Sequence, residues 1–277
     1  MDEKQQTECI TTKKKIILLS LDIEATGLSK FKDSTVEVGI DIVLVETDGK
    51  SIQVVEELPS FQEYACGREG AVICDAAADI TGLSREFIAK QIPLNKLFTK
   101  CVAHLDKVCQ PFPETERCLV AYNGNGYDIP VLAADAEQCF DSGGAKGFFR
   151  RLRIEKVIDV LHVARKHADV TKLKRKANGR CSYKLGDVYR AVTGNCLEGA
   201  HGAVADAKAV TKLITDSKEI NTAISTAFVE NSDCETSKSL MTLVLSSVKA
   251  FNEFNGKGKR KMSIVDALKN AKKQKKN

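Results

Sequence analysis

The chain has 277 residues, 43% hydrophobic and 29% charged, an ordinary soluble composition with enough length for one large domain and a well-buried core. No run approaches the roughly 18 apolar residues that span a bilayer, and the polar, lysine-rich start carries no signal-peptide core, which points away from membrane and secretion. The net charge of +5 is unevenly spread: ten of the 42 basic residues but only two of the 37 acids fall in 249–277, leaving that segment at +8 and residues 1–248 at −3.

In chain order, residues 16–23 form an apolar run too short for an independent helix and read as a strand buried on both faces. Residues 36–46 alternate as a second strand, and Asp48-Gly49-Lys50 turns it into a third segment rich in Val and Ile, a hairpin. Leu94, Leu97, Phe98, Cys101, Val102, Leu105, Val108 and Cys109 recur at helical spacing, and Pro111 and Pro113 end that helix. Residues 118–122 form another short strand, stopped by Asn123-Gly124-Asn125-Gly126. A helix follows over 128–140, then a strand ending at Val157-Ile158-Asp159 that runs into a helix to about His167. Residues 171–180 read as a basic, structureless loop, and further helices fit 185–192 and 203–215. The order β-β-β-α-β-α-β-α-α predicts an α/β fold, a mixed sheet with helices on its faces.

Acids cluster at the ends of these elements. Asp22 and Glu24 lie two apart at the end of the first strand, so both carboxylates share a face and repel unless a cation neutralises them. With 18 Asp and 19 Glu in the chain, an Asp-x-Glu occurs about once by chance, and taken alone the pair is better explained as two unrelated surface acids. Asp128 follows the glycine-rich turn at a strand end, either as a ligand-facing acid or as a simple helix cap. His201 and Asp206 open a late helix; a five-residue helical offset separates side chains by about 140°, which places His201 on the entry loop. Asp159 and Asp187 read as a strand-end residue and a helix residue.

Taken together, Asp22-Ile23-Glu24-Ala25-Thr26-Gly27-Leu28, Ile80-Thr81-Gly82-Leu83-Ser84, the segment from Leu119 to Asp128 and Ser182-Tyr183-Lys184-Leu185-Gly186-Asp187 resemble the DEDDh 3′→5′ exonucleases, and within them the three-prime repair exonuclease (TREX) branch. The resemblance spans about residues 15–216. Tyr122 stands where relatives often carry His, the proline-rich insertion of some relatives is absent, and lysines replace the membrane-anchoring tail of others. The resemblance implies a ribonuclease-H-like mixed β-sheet flanked by helices; with composition, the chain divides into an arm over 1–14, the exonuclease domain over 15–250 and a basic, disordered tail over 251–277.

It also implies that Asp22, Glu24, Asp128 and Asp206 hold two Mg²⁺, with Mn²⁺ as a substitute, because an all-oxygen donor set suits hard cations. His201 would be the general base. Glu24, Ala25, Leu28, Ile80, Tyr127, Ser182, Tyr183 and His201 would contact the terminal nucleotide. The basic loop supplies Lys172, Lys174, Arg175, Lys176 and Arg180 as candidate phosphate contacts. The expected reaction releases nucleoside 5′-monophosphates from the 3′ ends of DNA, single-stranded DNA included. RNA 3′ ends are the alternative substrate, and a catalytically weak nucleic-acid-binding module is the alternative role. Homodimerisation through a sheet edge is expected by the same resemblance, and residues 61–65 alternate as an edge strand does.

Two further features bear on location. The ten cysteines are scattered with no Cys-x-x-Cys pair and read as reduced thiols. The clusters Lys259-Arg260-Lys261 and Lys272-Lys273-Gln274-Lys275-Lys276 have the spacing of a bipartite nuclear import signal or of a DNA tether. A nuclear or cytoplasmic, non-membrane protein is therefore expected.

Overall fold

Residues 13–229 and 237–256 are described in the structure, a computed structural model. Three strands open the chain: β1 (Lys14–Ala25), β2 (Thr35–Thr47) and β3 (Ile52–Tyr64), each antiparallel to the next. Helices α1 (Asp75–Thr81), α2 (Arg85–Ile88) and α3 (Leu94–Val108) lead to β4 (Glu116–Ala121), which lies parallel to β1 on its other side. Next come α4 (Asp128–Cys139), α5 (Gly144–Arg151) and β5 (Lys156–Asp159), parallel to β4. Helices α6 (Val160–His167), α7 (Leu185–Thr193), α8 (Ala203–Asp216) and α9 (Lys218–Val229) follow. A short β6 (Ser237–Ser239) pairs antiparallel to β5, and the last described helix covers 240–256. The sheet runs β3-β2-β1-β4-β5-β6, so the first apolar run of the sequence is an interior strand.

That position explains why β1 is apolar on both faces. Ile17, Leu19, Leu21 and Ile23 pack with Leu97 and Phe98 of α3 and with α4. Ile16 and Leu18 face the other way, with Val43 and Val45 of β2, Val210, Leu213 and Ile214 of α8, and Ile220 and Phe228 of α9. Each fully buried side chain of this size contributes about 1.5–3 kcal/mol.

Along the second face the chemistry changes from apolar to polar to acidic. Ser20 lies opposite Asp41 in the ladder, and both are buried. Ser20 Oγ and Thr211 Oγ1 of α8 are 2.7 Å apart, Thr211 donates to Asp41 Oδ2 at 2.7 Å, and Ser60 of β3 donates to Asp41 Oδ1 at 3.0 Å. Buried polar atoms are costly without partners, so this chain of bonds holds α8 to one place on the sheet. Beyond it, Gly39 stands opposite Asp22, and a Cβ there would lie 2.3 Å from the Ala203 carbonyl carbon. The start of α8 thus rests directly on β2 backbone.

The strands and helices expected from periodicity are all present, with ends that coincide or shift by at most two residues. The elements not anticipated lack a local signal or sit late in the chain. Helix α1 buries no residue and α2 is a single turn of four, so neither carries an apolar stripe. Helix α5 begins at Gly143 and Gly144, both at positive φ, which conceals it behind a turn-like sequence. Helix α9 does carry a stripe, Ile220, Ile224 and Phe228. The ordered body also exceeds the boundaries drawn from composition: Lys14 belongs to β1, and 251–256 continue the last helix, with Phe251 buried. The rest of the arm and the clusters from 257 onward lie outside the described residues. Among the described residues the cysteines are free, and no helix is long and apolar enough to cross a membrane.

Substituting Gly39→Ala should lower the unfolding free energy by about 2 kcal/mol or more, because the added methyl meets backbone that has nowhere to move. Urea denaturation measures this, and an unchanged midpoint would show that α8 does not rest on β2 as described.

Candidate active site

At the end of β1 the alternation of the strand turns Asp22 and Glu24 to the face that α8 covers. Asp206, in the first turn of α8, completes a trio whose carboxylate oxygens lie within 4.8 Å of one another. Asp22 and Glu24 keep part of their surface accessible. Asp128, the first residue of α4, is 5% exposed, and its Oδ1 accepts the N–H of Ile23 at 3.2 Å. It is therefore fastened to the backbone between the two β1 acids, beside the trio.

A fifth acid, Glu37, was not singled out in the sequence. It stands directly opposite Glu24 on β2, is 2% exposed, and its Oε1 accepts from Gln62 Nε2 at 2.7 Å. The alternation of β2 puts Glu37, Gly39 and Asp41 on one face, and pairing that face with the acids of β1 is the signal that would have found it.

Burial, and after it repulsion from neighbouring acids, raises the proton affinity of Asp22, Glu24, Asp128 and Asp206. Burial, then Asp128, Asp206, Glu24 and Glu37, hold Asp22 well above the ordinary carboxylate range. Burial pushes Glu24 up to about 8, with repulsion from Asp206, Glu37 and Asp128. Burial lifts Asp128 to about 7 against the lowering effect of its backbone hydrogen bonds. Asp206 is raised by burial and partly relieved by His201. Four crowded, largely buried carboxylates have the electrostatics of a cation site.

One oxygen tests that fit. His201, exposed at the entry to α8 and at φ 67°, donates its backbone N–H to Asp206 Oδ2 at 3.3 Å. The other oxygen, Asp206 Oδ1, is buried with no hydrogen-bond partner. A buried, unpartnered oxygen on a carboxylate clustered with two more carboxylates is what a hard divalent cation would satisfy.

Neighbouring segments are tied to this site. Tyr127 donates its hydroxyl to Gly27 O, so the α4 start holds the loop after β1, on which Leu28 is 92% exposed. The Asn123–Gly126 turn is organised by Asp159, whose carboxylate accepts from Asn123 N at 3.0 Å, Asn125 N at 3.2 Å and Leu161 N at 3.1 Å. Asp159 thus caps α6 and shapes the turn. Tyr122 donates to Tyr183 O at 2.8 Å, and Ser182 gives its hydroxyl to Asp187 at 2.6 Å, which commits that hydroxyl to the fold. Ile80 is half exposed on α1. In the basic loop, Lys172 pairs with Asp169 at 3.7 Å, Lys174 with Asp187 at 3.8 Å, and Arg175 donates to Gly179 O at 3.0 Å. Lys176 and Arg180 are exposed.

The chain is 29% identical to human three-prime repair exonuclease 1 over 148 residues, 52% of this chain and 43% of that protein. It is also 29% identical to the Bos taurus protein of the same name over 210 residues, 70% of this chain and 61% of that one. The chain thus spans about half the length of these curated relatives. No protein-family model matches it. Among solved structures, E. coli exonuclease I bound to a dT13 oligonucleotide superposes with a TM-score of 0.52 at 16% identity, covering 72% of this chain and 41% of that one. A product-bound exonuclease I gives 0.55 at 13% identity, covering 78% and 46%. The resemblance to three-prime repair exonucleases and the ribonuclease-H-like fold expected from it are both borne out.

Raised carboxyl pKa values make a pH prediction. The folded protein holds protons on Glu24 and Asp128 up to about 8 and 7, against ordinary values of 4.5 and 3.8. Their contribution to stability is therefore fully present below about pH 4 and lost as pH rises toward 8. The melting temperature of metal-free protein should fall across pH 5–8, and millimolar Mg²⁺ or Mn²⁺ should restore it at pH 8. A melting temperature that rises over this window, or ignores both ions, would remove the cation-site reading.

Proposed function

We propose that this protein is a metal-dependent 3′→5′ exonuclease that removes nucleoside 5′-monophosphates from DNA 3′ ends. The observation that carries the proposal is the Asp22–Glu24–Asp206 trio with its unpartnered buried oxygen, at the end of an interior strand of an exonuclease fold. Similarity to proteins named three-prime repair exonuclease supports the reaction class.

In this reading Asp22, Glu24, Asp128 and Asp206 hold two Mg²⁺, with Mn²⁺ able to replace them. When bound, such ions supply an activated water and stabilise the departing 3′ oxygen. The four carboxylates keep the ions at the end of β1 because packing fixes the strand and α8 independently of the metal. His201, exposed beside Asp206, accepts the proton of the attacking water at its imidazole. Leu28 and the backbone of Glu24 and Ala25 seat the terminal nucleotide, and Tyr127 holds their loop from behind. Ile80 and Tyr183 flank this groove, with Ser182 shaping its wall. Lys172, Lys174, Arg175, Lys176 and Arg180 contact phosphates of the strand.

Single-stranded DNA is the favoured substrate because the structural neighbours include oligonucleotide complexes of exonuclease I. We further propose a homodimer through β3, an edge strand of the sheet, and nuclear entry through the basic clusters after residue 257.

Two substitutions test the chemistry. Asp206→Ala should reduce degradation of a 3′-labelled oligonucleotide by 10³-fold or more and abolish the Mg²⁺-induced rise in melting temperature. Near wild-type turnover would eliminate the metal-ligand assignment. His201→Ala should lower kcat by about 10²–10⁴-fold while KM changes little, the signature of a group acting in the transition state. Equal losses in binding and turnover would instead make His201 a substrate-holding residue.

A further inference from the structure

The loop of residues 26–34 leaves the acidic end of β1 and is fastened more heavily than a surface connection requires. Asp33 closes it from within, accepting from Ser29 N at 2.6 Å and Thr26 Oγ1 at 3.2 Å. From outside it is gripped by Arg68, whose side chain is 10% exposed. The Arg68 guanidinium lies 2.9 Å through Nε from Asp135 Oδ1 of α4, a carboxylate with no exposure. Its Nη2 donates to Phe31 O at 3.4 Å and to Asp33 O. The Arg68 backbone N–H reaches Ser34 Oγ at 2.9 Å, and the guanidinium carbon sits 5.5 Å from the ring centre of Phe251. Phe251 and Phe254 of the last helix in turn pack on Phe31, with ring centres 6.0 and 5.8 Å away. One planar group therefore joins α4, the loop and the last helix. A lysine lacks the second donor arm and the flat face this requires.

What this fastening presents is Leu28, four residues after Glu24 and 92% exposed. A leucine held in solvent on a rigid loop adds nothing to the core, and its cost is understandable where a ligand covers it. We infer that Arg68 is a positioning residue for substrate: it sets the 26–34 loop so that Leu28 meets the terminal nucleotide, and acts on binding without touching the carboxylates. This rests on the exonuclease reading of the neighbouring acids.

The test compares Arg68→Lys, which keeps a charge beside Asp135 but gives up the arm to Phe31 O and Asp33 O, with Phe254→Ala, a partly exposed ring whose loss leaves the core intact. Arg68→Lys should raise KM for a single-stranded oligonucleotide about tenfold, with kcat within twofold and the Mg²⁺-induced melting shift unchanged. Phe254→Ala should raise KM in the same direction by a smaller factor. Amide hydrogen exchange of residues 28–33 without substrate should quicken in both variants. Unchanged KM despite a lowered melting temperature, or equal losses in kcat and kcat/KM, would make Arg68 merely structural and overturn the inference. Should wild-type protein bind oligonucleotides but degrade none, the exonuclease reading falls, and Arg68 is then judged by oligonucleotide affinity measured by fluorescence anisotropy.

Discussion

Carboxylates at the end of β1 repel one another, and only packing on both faces of the sheet keeps them together. Asp22, Glu24, Asp128 and Asp206 come from three elements, each anchored by apolar side chains packed into the two cores of the sheet. Burial first, and repulsion after it, raises the proton affinities of the four groups, which is the cost of that arrangement. A site assembled this way is preorganised: the protein bears the repulsion in its folded state, and a divalent cation relieves it on binding.

The joint between β1, β2 and α8 shows how closely the acids depend on what lies below them. Ile16 and Leu18 meet Val43, Val45 and the apolar side of α8; one step further, Ser20, Asp41 and Thr211 replace apolar packing with hydrogen bonds; one step further again, Asp22 and Gly39 lie side by side. The apolar layer supplies the free energy, while the hydrogen-bonded layer supplies direction, because it admits one placement of α8 along the strand. Gly39 then lets Ala203 reach β2 backbone, which brings Asp206 level with Asp22 and Glu24. Glu37 fits the same gradient: its alternation on β2 puts it with the acids, and Gln62 satisfies it there.

Around this centre, single polar side chains shape the loops. Asp159 orders the turn before α4, Tyr127 and Arg68 fasten the loop after β1, and Tyr122 braces the segment at Tyr183. In each case one side chain at or near the end of a strand or helix fixes backbone that has no ladder of its own, so the loops carry contacts outward from a held base.

The sequence by itself determined the interior strand β1, the face shared by Asp22 and Glu24, the amphipathic α3, and the places of Asp128 and His201 at helix entries. All of these are local: periods of two and of 3.6 residues report which side of an element a residue occupies. The motif segments also sufficed for the family resemblance. Helices α1 and α2 escaped because they bury almost nothing and so leave no periodic trace. The tertiary structure alone decided that Asp206 completes the trio with one oxygen unpartnered, that Glu37 joins the acids, that Ser182 is committed to Asp187, and that Arg68 links α4, the 26–34 loop and the last helix. These depend on strand register and on close approach between distant segments, and a linear spacing contains no term for either.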